Sequence, residues 1–147
     1  MIEPRAKILG HPIHPMLIVF PLGLLVTSFF FDVLALALHS GEFALVAFWM
    51  IAAGVAGGLV AAVFGLIDWL AIADDTREKR IGMWHGGLNV MMVGLFAAGW
   101  FLRRPLPSFP PLAAVVLSGI AVALALVGGW LGGELVYGRS STIPPQQ

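Results

Sequence analysis

Gly10-His11-Pro12-Ile13-His14-Pro15 leads directly into an apolar run that lasts to Leu38. About 20 mainly apolar residues carry a helix across a bilayer core of about 30 Å, so the run is long enough to span. Proline suits the first turn of a helix, where its missing N–H costs nothing. Pro12 and Pro15 each follow a histidine and mark a helix start, with His14 at or beside the N-cap. A helix N-terminus disfavours imidazolium, which keeps such a ring neutral and able to bind metal.

Three further stretches meet the same test. The four expected spans are 15–38, 43–73, 83–102 and 112–136. The second is longer than the bilayer core needs at about 1.5 Å per residue, so it should tilt or project. The links 39–42, 74–82 and 103–111 are short, and short links make consecutive helices antiparallel neighbours. The expected fold is therefore all-α: one integral membrane domain over 1–147, an up-down-up-down four-helix bundle. Residues 138–147 are polar and proline-bearing and read as a loose tail. The first apolar run exceeds the 7–15 residues of a signal h-region, so the N-terminal span should be retained.

Composition agrees. The chain is 59% hydrophobic and 11% charged, well away from the soluble balance. Its formal net charge of zero gives no basic face for nucleic acid. Cysteine is absent, which removes disulfides, thiolate metal sites, iron–sulfur ligation and covalent haem attachment. No Gly-x-Ser-x-Gly elbow, P-loop or His-Glu-x-x-His helix occurs, so an enzyme is not the favoured reading.

Lys and Arg near the span ends set sidedness. Arg5, Lys7, Arg77, Lys79, Arg80 and Arg139 fall on the side of both termini, against Arg103 and Arg104 on the other. That asymmetry predicts cytoplasmic termini in a bacterial inner membrane. Trp69, Trp84 and Tyr137 would anchor the inner interface, and Trp49 and Trp100 the outer one.

The polar residues inside the spans carry the functional reading. His14, Pro21, Ser28, Asp32 and His39 share one stripe, and charged groups facing lipid are costly, so the stripe should face the bundle interior. His85, Asn89, Met92 and Phe96 form a comparable stripe on the third span. Gly54, Gly58, Ala61 and Gly65 lead to Asp68, and Gly128 with Gly132 and Gly129 with Gly133 thicken the fourth span. Small residues permit close helix packing, or leave flat room for a planar cofactor.

By topology His11, His14, Asp68, His85 and Glu134 fall in one layer at the cytoplasmic side. Helices one and three are diagonal in the bundle, so His14 and His85 can face each other as axial ligands of a haem b iron. Asp68, Asn89 and Glu134 would then support the imidazoles from behind. Alternatively His11, His14, Asp68, His85 and Glu134 supply direct ligands to a divalent transition metal. A bare hydrogen-bonded network that only fixes helix register, and a proton relay in a small transporter, are the other readings. At the far end Asp32, His39, Glu42, Arg103 and Arg104 read as an interfacial salt-bridge set.

On these residues the chain resembles a bacterial family of small four-span membrane proteins known as a domain of unknown function. The matching features are Gly10 to Pro15, Gly65-Leu66-Ile67-Asp68-Trp69, His85 with Asn89, and Gly129-Trp130-Leu131-Gly132-Gly133 with Glu134. In some relatives the module is joined to Rieske or cytochrome-type domains, and it is distantly similar to cytochrome-b-like bundles. The resemblance implies a place in membrane electron transfer, as a redox protein or a subunit of a redox complex. Expected partners are the lipid bilayer and either redox subunits or further copies of the chain. The leading alternative is a structural or assembly subunit without a cofactor.

Overall fold

The computed structural model describes residues 5–137. The expected tail at 138–147, with Arg139, lies outside the described residues. Four helices dominate: α1 (Ile13–Leu38), α2 (Gly41–Leu70), α3 (Arg77–Arg103) and α4 (Leu112–Tyr137). Each contains a stretch long and apolar enough to cross a membrane. The all-α four-helix bundle expected from the sequence is the observed architecture.

Helix boundaries differ where polar residues join the helices. α2 ends at Leu70 rather than Ala73, and α3 starts six residues before Met83. The charged run Arg77-Glu78-Lys79-Arg80 is helical because Thr76 caps it, its hydroxyl accepting from the Lys79 amide at 3.1 Å. Lys79 then closes the α2–α3 link. Its ammonium donates to the carbonyls of Trp69 and Ile72, each at 3.1 Å, and lies 4.3 Å from the centre of the Trp69 ring.

A small β-hairpin precedes α1. β1 (Lys7–Ile8) pairs antiparallel with β2 (His11–Pro12) around Leu9 and Gly10. Both turn residues have positive φ, 49° and 82°, as a two-residue primed turn requires. His39, expected on the inward stripe of α1, is instead exposed. It adopts a left-handed conformation (φ 52°) that ends α1 and turns the chain into α2 within two residues.

The helices pack most closely with their sequence neighbours, α1 on α2 and α3 on α4, while the α1–α4 seam is the thinnest. Small residues set the closeness. A β-carbon at Gly54 would stand 2.7 Å from Leu25 Cγ, so only glycine lets α1 and α2 approach there. Pro21 lies inside α1 against Gly57 and Gly58 of α2, and its ring removes one backbone hydrogen bond from that helix.

Leu25, Ile51, Met92, Phe96 and Ala121 form an apolar core at mid-height. Outside it Phe20, Phe30, Trp49, Val90, Leu126 and Trp130 are exposed, as a lipid-facing surface requires. Trp100, expected as an outer anchor, turns inward. It stacks on Phe48 (centroids 5.2 Å apart, 18° between planes), and its buried indole N–H has no acceptor among the described residues.

Candidate functional site: a paired-imidazole layer

His14 is the second residue of α1 and His85 sits two turns into α3. Their helices are diagonal in the bundle, yet the two rings meet, with centroids 6.4 Å apart and planes at 88°. Each ring is held by the helix that follows its own. His14 Nδ1 donates to the Ala61 carbonyl of α2 at 2.8 Å, and His85 Nδ1 donates to the Gly128 carbonyl of α4 at 2.8 Å. A carbonyl only accepts, so Nδ1 carries the hydrogen in both rings and the lone pair of each neutral imidazole is on Nε2.

Glycines make the seats. A β-carbon at Gly65 would stand 2.9 Å from His14 Cε1, and one at Gly132 would stand 3.0 Å from His85 Cε1. Both glycines lie four residues, one turn, after the residue whose carbonyl takes the imidazole proton. Gly128 in turn borders the Asn89 side chain. The glycine-rich face at this end is therefore filled largely by imidazole and amide. Gly86, Gly129 and Gly133 differ, since a β-carbon there would meet nothing within 4 Å.

Asn89 lies one turn along α3 from His85. Its amide nitrogen is 2.9 Å from the His85 carbonyl and 3.0 Å from His85 Nε2. Both of those groups accept, which fixes the amide nitrogen as the end facing them. His85 thus has a partner on each ring nitrogen.

The carboxylates do not hold the imidazoles as the sequence reading expected. Asp68 Oδ1 accepts from the Ala6 amide at 2.9 Å, pinning the segment before the β-hairpin to the end of α2. Glu134 pairs with Arg77 at 3.1 Å in a half-exposed salt bridge. The physical reason is reach: backbone carbonyls of α2 and α4 lie directly behind the rings, while both acids have nearer cationic or amide partners. His11, expected among the metal ligands, is exposed on β2 and its Nδ1 donates to the Leu9 carbonyl at 3.0 Å. Among the described residues no group of three or more His, Asp or Glu comes together to hold a metal ion. Of the five residues expected in one layer, the structure brings His14 and His85 together and gives His11, Asp68 and Glu134 other partners.

A second polar layer lies near the other end, and the sequence reading misjudged its surroundings. Asp32 and Arg103 are wholly buried rather than interfacial. The guanidinium grips the carboxylate through two bonds, NH1 to Oδ1 at 2.7 Å and NH2 to Oδ2 at 2.9 Å. NH2 also reaches the Ala114 carbonyl (3.1 Å) and Ser118 Oγ (3.1 Å), sharing its two hydrogens among three acceptors, and Nε donates to the Gly99 carbonyl (3.3 Å). This set ties α1, α3 and α4 together. Its signal in the sequence was the spacing: Asp32 follows His14, and Arg103 follows His85, by the same eighteen residues.

Four apolar helices closed by a buried ion pair at one end and an imidazole pair at the other make this a multi-pass integral membrane protein. The chain belongs to the DUF2231 family of predicted membrane proteins, whose family model matches residues 10–143. No curated protein and no solved structure matches it. The likeness to cytochrome-b-like bundles therefore rests on the sequence resemblance alone.

Proposed function

We propose that the protein is an electron-transfer protein, or a subunit of a membrane redox complex, in which His14 and His85 ligate one metal-centred group through Nε2. The observation that carries this reading is the pair itself: two imidazoles from diagonal helices, 6.4 Å apart, each fixed as the Nδ1–H tautomer by a backbone carbonyl. Metal-bound histidines are ordinarily held in this way through their second nitrogen. His14 and His85 are the two residues that would hold such a group.

Ligand count favours haem b over a bare divalent ion. A zinc, iron or manganese ion wants four or more donors, and Asp68 and Glu134 are engaged elsewhere. Haem supplies four nitrogens itself and asks only two of the protein. Bound there, it would supply one-electron chemistry. The chain's own contribution is to orient both rings through Nδ1, so that Nε2 is the nitrogen left for a ligand, and to screen the site with lipid-facing apolar helices.

Sidedness supports the termini lying in the cytoplasm of a bacterium, with the imidazole layer toward that side. Arg103 is consumed in the buried ion pair, which leaves Arg104 as the remaining basic residue at the far end.

A second reading has its own supporting observation. The Asn89 amide already occupies His85 Nε2, which suits a network that only fixes packing in a structural or assembly subunit. A proton relay is less well supported, because the core of Leu25, Ile51, Met92 and Phe96 separates the two polar layers. The deciding experiment is the dithionite-reduced optical spectrum of detergent-purified protein from haem-replete cells. A Soret band lost in His14→Ala and in His85→Ala supports the redox reading. Its absence from the wild type, with no metal on elemental analysis, leaves the packing reading.

A further inference from the structure

The first helical hairpin and the second bury the same positions. His85 lies 71 residues after His14, and Arg103 lies 71 residues after Asp32. Between those ends Pro21, Leu25 and Ser28 of α1 are buried, and the same shift lands on Met92, Phe96 and Gly99 of α3, buried likewise. α2 and α4 agree under a shift of 67. Ala61 and Gly128 give the carbonyls that take the imidazole protons, while Gly65 and Gly132 give the seats. The bundle is thus two copies of one α-hairpin, set side by side about an axis that passes between His14 and His85 and between Asp32 and Arg103.

At the imidazole end equivalent positions carry the same residue. At the other end they carry opposite charges, both wholly buried. Two first hairpins meeting by this face would set Asp32 against Asp32, and two second hairpins would set Arg103 against Arg103. Either juxtaposition buries like charges without partners, a cost far above that of a surface mismatch. The imidazoles, being alike, discriminate nothing.

We infer that Asp32 and Arg103 form a pairing key: the α1–α2 face selects the α3–α4 face as its partner and rejects a copy of itself. Equivalence also says how far the key can be turned around. A guanidinium introduced at position 32 would meet the Ala47 carbonyl as Arg103 meets that of Ala114, but Ile51 stands where Ser118 donates its acceptor.

The test uses the full chain in detergent, followed by size-exclusion profile and thermal unfolding. Asp32→Arg alone and Arg103→Asp alone are expected to lose the folded, monodisperse species. The double reversal Asp32→Arg/Arg103→Asp is expected to regain most of that loss, and adding Ile51→Ser to regain more. Co-expressing the two single reversals under different tags gives an independent reading. Each chain then holds the hairpin that the other lacks, so the two should copurify one to one although neither is stable alone. A double reversal as damaged as the worse single variant, or single reversals that fail to copurify, would overturn the inference.

Discussion

The imidazole of His14 lies against the α-carbon of Gly65, so close that a β-carbon there would stand 2.9 Å from Cε1. Gly132 does the same for His85 at 3.0 Å. Gly65→Ala and Gly132→Ala are therefore expected to push each ring off its carbonyl, at a cost of about 1–3 kcal/mol for overpacking. Gly129→Ala meets open space and should leave stability nearly unchanged. Thermal unfolding in one detergent compares the three. If a cofactor is present, its spectrum should change in the first two and not in the third.

Ser118 Oγ accepts from the buried Arg103 guanidinium at 3.1 Å and donates to the Ala114 carbonyl at 3.2 Å. Ser118→Ala removes an acceptor from a charged group, so about 1.5–3 kcal/mol should be lost. Chemical unfolding in detergent measures it. A loss within error would mean that Asp32 with the Gly99 and Ala114 carbonyls satisfies the guanidinium without the hydroxyl.

Trp100 carries the opposite expectation. Its indole N–H is buried without an acceptor among the described residues, while its ring stacks on Phe48. Trp100→Phe keeps an aromatic ring at the position and removes the orphan donor. Stability should hold or rise by about 1 kcal/mol, since a buried unpaired donor costs that much or more. A clear loss would show that the larger ring's packing outweighs the unpaired donor.

Asp68 fastens the Ala6 amide at 2.9 Å. Asp68→Ala should loosen the β-hairpin without opening the bundle. Hydrogen exchange is expected to rise at Ala6 and through the hairpin while the mid-helix amides of α2 stay protected. Faster exchange throughout α2 would instead give Asp68 a part in holding the helices.

Asn89 tests the two functional readings from the side of His85. Asn89→Ala removes the amide from Nε2 but leaves the Gly128 tether in place. A loss of about 0.5–1.5 kcal/mol is expected for the hydrogen bond. Under the redox reading the same variant retains the haem spectrum, because Nε2 is needed by the iron rather than by the amide.

Much of this was legible in the residues. Apolar runs longer than a bilayer is thick admit few arrangements, and short links then dictate antiparallel neighbours. The approach of His14 to His85 followed from topology, because both lie near the same end of diagonal helices. The contact of Asn89 with His85 followed from one helical turn of spacing. What anchors the rings was not legible. Every residue offers a carbonyl, and only the register of α2 on α1 decides that Ala61 is the one behind His14. Asp32 and Arg103 were legible in part. The stripe of Asp32 was expected to face the interior and both belonged to the expected salt-bridge set, but that set was placed at the interface. Charged residues near span ends are ordinarily interfacial, and only the equal spacing of Asp32 from His14 and of Arg103 from His85 marked this pair as an interior one.

Pro21 divides α1 between these two attachments. Beyond it Asp32 is clamped by Arg103, and before it His14 rests on α2 through one hydrogen bond and one glycine seat. The bond missing at the proline interrupts the backbone ladder between those two attachments. On α3 the equivalent residue is Met92, and the ladder there has no such interruption. Of the two histidines, His14 alone is separated from its helix's ion-pair residue by a gap in the backbone ladder.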